Sequence, residues 1–192
     1  MVVLELDRAA VLIDLGYLAK ILKYCFGEPR INFEEFSDLI CGDKERLRTF
    51  VYDSNPYVSP EPTEDEKNRA ANHDRFVKSI NGLSRFEVRL GKTAHNPQTG
   101  NFFQRGVDVL FTVDLMRLSW DKQINTAFLV TGDSDFIPAI ISAKKAGVLI
   151  ILYYRDCYDP QGRPMSRATD ELLDACDETR LIEEELIEDC KF

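Results

Sequence analysis

Four aspartates stand where apolar runs give way to turn formers. Asp14 follows Val11-Leu12-Ile13, Asp108 follows Gly106-Val107, and Asp133 and Asp135 sit in Gly132-Asp133-Ser134-Asp135-Phe136, directly after Ala127-Phe128-Leu129-Val130. Carboxylates gathered at one place repel one another unless a cation neutralises them or some take up protons. Oxygen-only donors suit a hard ion, Mg²⁺ or Mn²⁺. That chemistry belongs to a metal-dependent enzyme acting on phosphates. Each aspartate alone has a plainer use, since Asp caps helices and a first-turn acid complements the helix dipole. Two aspartates around one turn exceed what a cap needs, and capping does not explain three separate segments reaching the same edge. Asp114 is different again. It lies six residues beyond Asp108, about 120° round the same helix, inside an apolar stripe. It therefore either reaches the site as a ligand or supporting group, or is paired by a buried base such as Arg105 or Arg117.

The elements around these residues alternate. Residues 9–13 and 127–130 are short, wholly apolar runs, as in strands covered on both faces. Residues 47–52, 86–90 and 148–153 are the other strands, with 86–90 alternating apolar and charged like an edge. Helices are predicted from about residue 16, over 33–39, from the Thr63…Glu66 capping box to residue 80, over 107–120, from just after Asp133 to Gly147, and from about Thr169. Pro138 is tolerated only in a first turn, which fixes the start of the helix after Asp133. Residues 53–62, 91–103 and 156–164 read as loops. The pattern is α/β: a three-layer Rossmann-like fold with a central parallel sheet flanked by helices. In such sheets ligands bind at the carboxyl ends of the strands, where the four aspartates fall.

The length of 192 residues suits one domain, placed at residues 1–180 with an acidic tail at 181–192. No apolar run is long enough for a membrane span, and the start lacks the pattern of a secretory signal; a cytoplasmic protein with no membrane partner is expected. Five cysteines without metal or redox spacing read as free thiols, several packed as small apolar residues. His73 and His95 are the only histidines, too few for a histidine-rich zinc site. The net charge of −9 is unevenly spread. Residues 170–192 hold ten acids against Arg180 and Lys191, whereas residues 67–92 hold seven bases against Asp74 and Glu87. Local potential, not total charge, attracts a polyanion, so Lys67, Arg75 and Lys78 are candidate substrate contacts.

Ala10-Val11-Leu12-Ile13-Asp14-Leu15-Gly16-Tyr17-Leu18, Gly106-Val107-Asp108-Val109 continuing to Val113-Asp114-Leu115, and Val130-Thr131-Gly132-Asp133-Ser134-Asp135-Phe136 with Pro138 together resemble the NYN domain family, PIN-like relatives that include the bacterial LabA-like proteins. The resemblance implies a PIN-like sheet of five parallel strands in order 3-2-1-4-5 and a ribonuclease site. Carried onto this chain, the catalytic acids are Asp14, Asp108, Asp133 and Asp135, with Mg²⁺ or Mn²⁺ on Asp14, Asp108 and Asp133, and Asp114 a further ligand or supporting acid. Many relatives have Asn at the position of Tyr17 and Lys at that of Arg105; both residues, with Ser134, are expected to contact substrate. The implied partner is single-stranded RNA, on which Tyr17, Tyr52, Tyr57, Phe102 and Phe103 could stack; the oligomeric state, a homodimer included, stays open. The alternative is a non-catalytic RNA- or protein-binding module on the same fold. Toprim-like and haloacid-type phosphatase sites fit less well, since the first wants Glu where Asp14 stands and the second wants Asp where Gly16 stands.

Overall fold

A computed structural model describes residues 7–95, 102–159 and 161–192. Seven strands form one sheet: β1 (Arg8–Asp14), β2 (Glu45–Ser54), β3 (Phe86–His95), β4 (Phe102–Arg105), β5 (Thr126–Val130), β6 (Leu149–Tyr154) and β9 (Glu178–Leu181), in spatial order β4-β3-β2-β1-β5-β6-β9. All neighbours are parallel except β3 and β4. The expected order 3-2-1-4-5 is the centre of this sheet, which is extended by β9 beside β6 and closed at the other side by β4. A small hairpin of β7 (Cys157–Tyr158) and β8 (Pro164–Ser166) stands apart. Among the described residues, no helix is long and apolar enough to cross a membrane.

The central strand explains the three layers. Successive side chains on a strand point to opposite faces. Ala9, Val11 and Ile13 enter one core with Leu18 and Ile21 of α1 (Leu15–Cys25) and Phe36 and Ile40 of α2 (Phe33–Cys41). Ala10 and Leu12 enter the other, with Phe111 and Leu115 of α4 (Val107–Trp120) and Ala139 and Ile140 of α5 (Ile137–Lys145). α3 (Glu64–Asn81) joins the first layer through Ile80, and α6 (Asp170–Ala175) the second through Leu172. Local signals set the helix starts. Thr63 and Glu66 make the reciprocal capping box, and Pro138 lies in the first turn of α5 after a single 3₁₀ turn, Ser134–Phe136. α4 buries one side and leaves Val109, Val113, Met116 and Trp120 exposed on the other.

Three expectations change. Residues 91–103 are not simply a loop: β3 runs on to His95 and Phe102–Arg105 pair back against it, so Phe102 and Phe103 belong to a strand, while 96–101 lie outside the described residues. The acidic end is packed: Ile182, Ile187 and Cys190 are buried, the last two in and just after α7 (Glu184–Asp189), because apolar residues interrupt the acids at positions that face the α1–α2 layer. Cys25 and Cys157 form a disulfide with Cα atoms 5.7 Å apart, 132 residues apart in sequence. It fastens the end of α1 to the β7–β8 hairpin. Cys41, Cys176 and Cys190 are free and buried. Denaturing alkylation without reductant, followed by intact mass measurement, should count three thiols; five would remove the bond.

Candidate active site

The parallel register of β1 and β5 sets Ile13 beside Val130. Asp14 and Thr131-Gly132-Asp133 therefore leave the sheet side by side. Asp14 caps α1, its Oδ1 accepting from the Tyr17 N–H at 3.0 Å. The fully buried Thr131 hydroxyl donates to Asp14 Oδ2 at 3.4 Å and accepts from the Asp133 N–H at 3.2 Å. One hydroxyl, donor and acceptor at once, thus ties the two aspartate segments together. Asp133 Oδ1 accepts from the Asp135 N–H at 2.9 Å and caps the 3₁₀ turn. Capping and site-building are the same act here, because the cap leaves the second carboxylate oxygen of Asp133 for the cleft.

Asp108 arrives from a third segment. Gly106 adopts φ 84°, a left-handed conformation that suits glycine, and α4 starts from it without a side-chain cap. Aromatic packing then holds α4 to the Asp133 turn: the Phe111 and Phe136 rings stack with centroids 4.1 Å apart, and Tyr52 lies 4.8 Å from Phe111. The three acids line a cleft of about 550 Å³ together with Tyr17, Ser134 and two cations, Lys20 of α1 and Arg167 just after β8.

The electrostatics register the crowding. Burial raises the Asp14 carboxyl above its ordinary range and the negative charge of Asp133 adds to this, against the Tyr17 N–H, Lys20 and Thr131. Asp108 is raised by desolvation and then by Asp133 and Asp135. Among the described residues, no Lys or Arg forms an ion pair with any of these four acids, and no group of three or more His, Cys, Asp or Glu side chains is placed to hold a metal ion. The donor set fits a hard divalent ion in an open form, not a closed cage. Mg²⁺ keeps several waters and needs only one or two carboxylates plus substrate phosphate.

The other candidates divide. Asp135 is exposed outside the cleft lining, but its charge reaches Asp108. Tyr17 lines the cleft as a fixed wall: its hydroxyl accepts from the Arg155 N–H at 2.9 Å and its ring covers Gly132, where an added Cβ would fall 2.5 Å from Tyr17 Cε2. Burial pushes its phenol up to about 12. Asp114 is buried away from the cleft, accepting from Tyr52 Oη at 3.2 Å and Arg89 Nε at 2.9 Å; the base is Arg89, with Arg117 more distant at 3.9 Å. Tyr52 is therefore core, not a stacking platform. Lys67, Arg75 and Lys78 are exposed on α3, outside the cleft lining, with Lys67 paired to Glu64 and Arg75 bonded to Asn72. The side chain of Arg105 lies outside what is described; its backbone pairs with Lys92. Sequence reasoning missed Lys20 and Arg167. Lys20 could have been found, since it follows Tyr17 by three residues and so shares its helix face. Arg167 had no local signal.

The NYN domain family model matches residues 8–183. Among curated proteins none matches. A crystal structure of a protein of unknown function from Vibrio parahaemolyticus is similar over 100% of both chains, with TM-score 0.64 and 18% identity, a likeness of fold alone. A chain from Parabacteroides merdae is 10% identical over 92% of this chain and 32% of its own, with TM-score 0.31, and bears on nothing further.

Two variants test this geometry. Gly132→Ala must displace the Tyr17 ring or the turn, and urea unfolding should show a loss of about 1–3 kcal/mol. Asp114→Asn should weaken the Arg89 pair and lower stability by about 1–3 kcal/mol while leaving Mn²⁺ affinity, measured by calorimetry, at the wild-type value.

Proposed function

We propose a divalent-metal-dependent ribonuclease, because this chain belongs to the NYN domain family, which is PIN-like and typically nuclease. The observation that carries the reading is the convergence of Asp14, Asp108 and Asp133, from three segments, on one cleft at the carboxyl edge of a parallel sheet. Asp14 and Asp133, tied by Thr131, would hold Mg²⁺ or Mn²⁺ as one or two carboxylates do in an open site, with Asp108 lining the same cleft and Asp135 adding negative potential beside them. When bound, such an ion polarises a phosphoryl oxygen and acidifies an attacking water.

The chain's own residues do the rest. Thr131 keeps Asp14 and Asp133 at a fixed spacing. Lys20 and Arg167 supply the positive charge in the cleft lining and would take the non-bridging oxygens of an RNA phosphodiester. Ser134 would donate from the start of the 3₁₀ turn. Tyr17, held by the Arg155 backbone and packed over Gly132, forms a fixed wall of the cleft. The substrate is RNA, in single-stranded form, since an open cleft on a sheet edge admits a splayed strand.

A second reading, a binding module without catalysis, is favoured by the open spacing of the acids. Labelled single-stranded RNA separates the two. Cleavage should require Mg²⁺ or Mn²⁺, stop with EDTA, and fall on the order of a hundredfold or more in Asp133→Asn. RNA that stays intact with either metal, or a wild-type rate in Asp133→Asn, would end the ribonuclease reading. Lys20→Ala and Arg167→Ala should each raise KM about tenfold and reduce the salt dependence of binding by about one counterion.

A further inference from the structure

A second concavity opens at the same edge of the sheet. Asp14 of β1 lies beside Tyr52 of β2, so Asp53 and Ser54 continue β2 past the level of the acidic cleft, one strand over. There a pocket of about 380 Å³ is lined by Asp53, Ser54, Tyr57, Arg69, His73 and Thr93, a volume within the range of small-molecule sites. Neither the acids nor the cations of the first cleft belong to it.

This pocket is built. Asp53 is fixed at both oxygens: Oδ1 accepts from the Ser54 N–H at 2.8 Å and Oδ2 stands 3.0 Å from His73 Nε2. A carboxylate only accepts, so Nε2 donates, and the bond fixes the ring's orientation. His73 and Asp53 side chains are only 14% and 16% exposed. His73 Nδ1 is enclosed with no hydrogen-bond partner among the described residues, a buried polar atom that a purely structural tether of α3 to β2 would not need to leave unmet. Arg69 lies one helical turn before His73, on the same face of α3, and makes no ion pair among the described residues. Across the mouth, the Thr93 hydroxyl donates to Ser54 Oγ at 3.2 Å, which leaves the Ser54 hydroxyl proton for another acceptor.

The geometry points to a nucleobase subsite: this pocket takes an unpaired base of the RNA strand whose phosphate lies at the aspartate cleft. The inference rests on the RNA reading above. Bases of single-stranded RNA are held by aromatic rings and guanidinium planes and by hydrogen bonds along their edges. Tyr57 and Arg69 are the groups of the first kind, and the Ser54, Thr93 and His73–Asp53 cluster is the second. A site for phosphate alone would not need a polar cluster that both donates and accepts. Asp53 would repel a phosphate placed in the pocket itself, whereas a base is neutral.

The test is binding, kept apart from cleavage. The full-length Asp133→Asn chain, isotopically labelled and in EDTA, is titrated with AMP, with CMP and with inorganic phosphate while the His73 ring and the Ser54 and Thr93 amides are followed by NMR. The nucleotides should shift these signals and inorganic phosphate should not. Arg69→Ala, at an exposed position, and His73→Gln should each weaken binding of a fluorescent eight-nucleotide single-stranded RNA about tenfold, with Arg69→Ala keeping the parent Tm. Shifts confined to Gly132 and Asp133, equal shifts with inorganic phosphate, or unchanged RNA affinity in both variants would overturn the inference. Nucleotide binding at His73 in a chain that never cleaves RNA would sustain the base subsite and end only the ribonuclease reading; cleavage without signals at His73 would do the reverse.

Discussion

The β1–β5 pairing is the constraint on which the edge depends. With Ile13 beside Val130, the first polar residues of both strands emerge together, and the two chain segments that carry acids must share one place. Burial of the carboxyls and, second to it, their mutual charge oppose this: both raise Asp14 and Asp108 above the ordinary carboxylate range. The opposition is overcome by packing on both faces of β1, whose five central residues are fully buried, and by the Thr131 hydroxyl spanning the two segments. The Tyr52, Phe111 and Phe136 rings do the same for α4. A rigid apolar frame thus holds together groups that would separate in a looser one.

The frame was legible because its signals are local. Wholly apolar runs bounded by turn formers are doubly covered strands, a Thr three residues ahead of a Glu is a helix start, and Pro138 leaves one place for α5 to begin. Asp14, Asp108 and Asp133 could be placed at one edge on the same grounds, since in a parallel sheet every strand points the same way. What escaped depends on contacts between distant segments. Cys25 and Cys157 carry no spacing signal; the fold of α1 against β7 makes them neighbours. β9 has four exposed residues and no apolar pattern, so only its pairing with β6 identifies it. Arg167 reaches the cleft because the β7–β8 hairpin turns back toward α1, and nothing near it in sequence announces that.

Aromatics and acids misled in opposite ways. Tyr52 and Tyr17 looked available to bases, yet the hydroxyl of each has a partner, Asp114 for Tyr52 and the Arg155 backbone for Tyr17, and a tyrosine whose polar tip is satisfied packs well. Asp114 looked like a member of the site because a carboxylate in an apolar stripe demands an explanation. Arg89 is that explanation, reaching from β3 with Tyr52 as a second donor. Sequence alone could name the need for a base but not which one, since Arg89 is twenty-five residues away.

Charge poses the last question, how a chain of net −9 would receive a polyanion. Much of the excess lies in residues 170–192, but the cleft itself holds three acids against Lys20 and Arg167. The local field of these side chains is mixed, and a phosphate approaching Asp14 and Asp133 meets repulsion at short range. On the proposed reading, a bound divalent cation would reverse the sign. On that reading metal affinity and RNA affinity would be coupled, each raising the other by the same factor, and the acids would gate substrate as well as form the chemical centre. The proposed base pocket one strand over, lined by Asp53 and Arg69 and by none of the cleft's three acids, would not share this dependence and would engage a strand first, the phosphate following the ion.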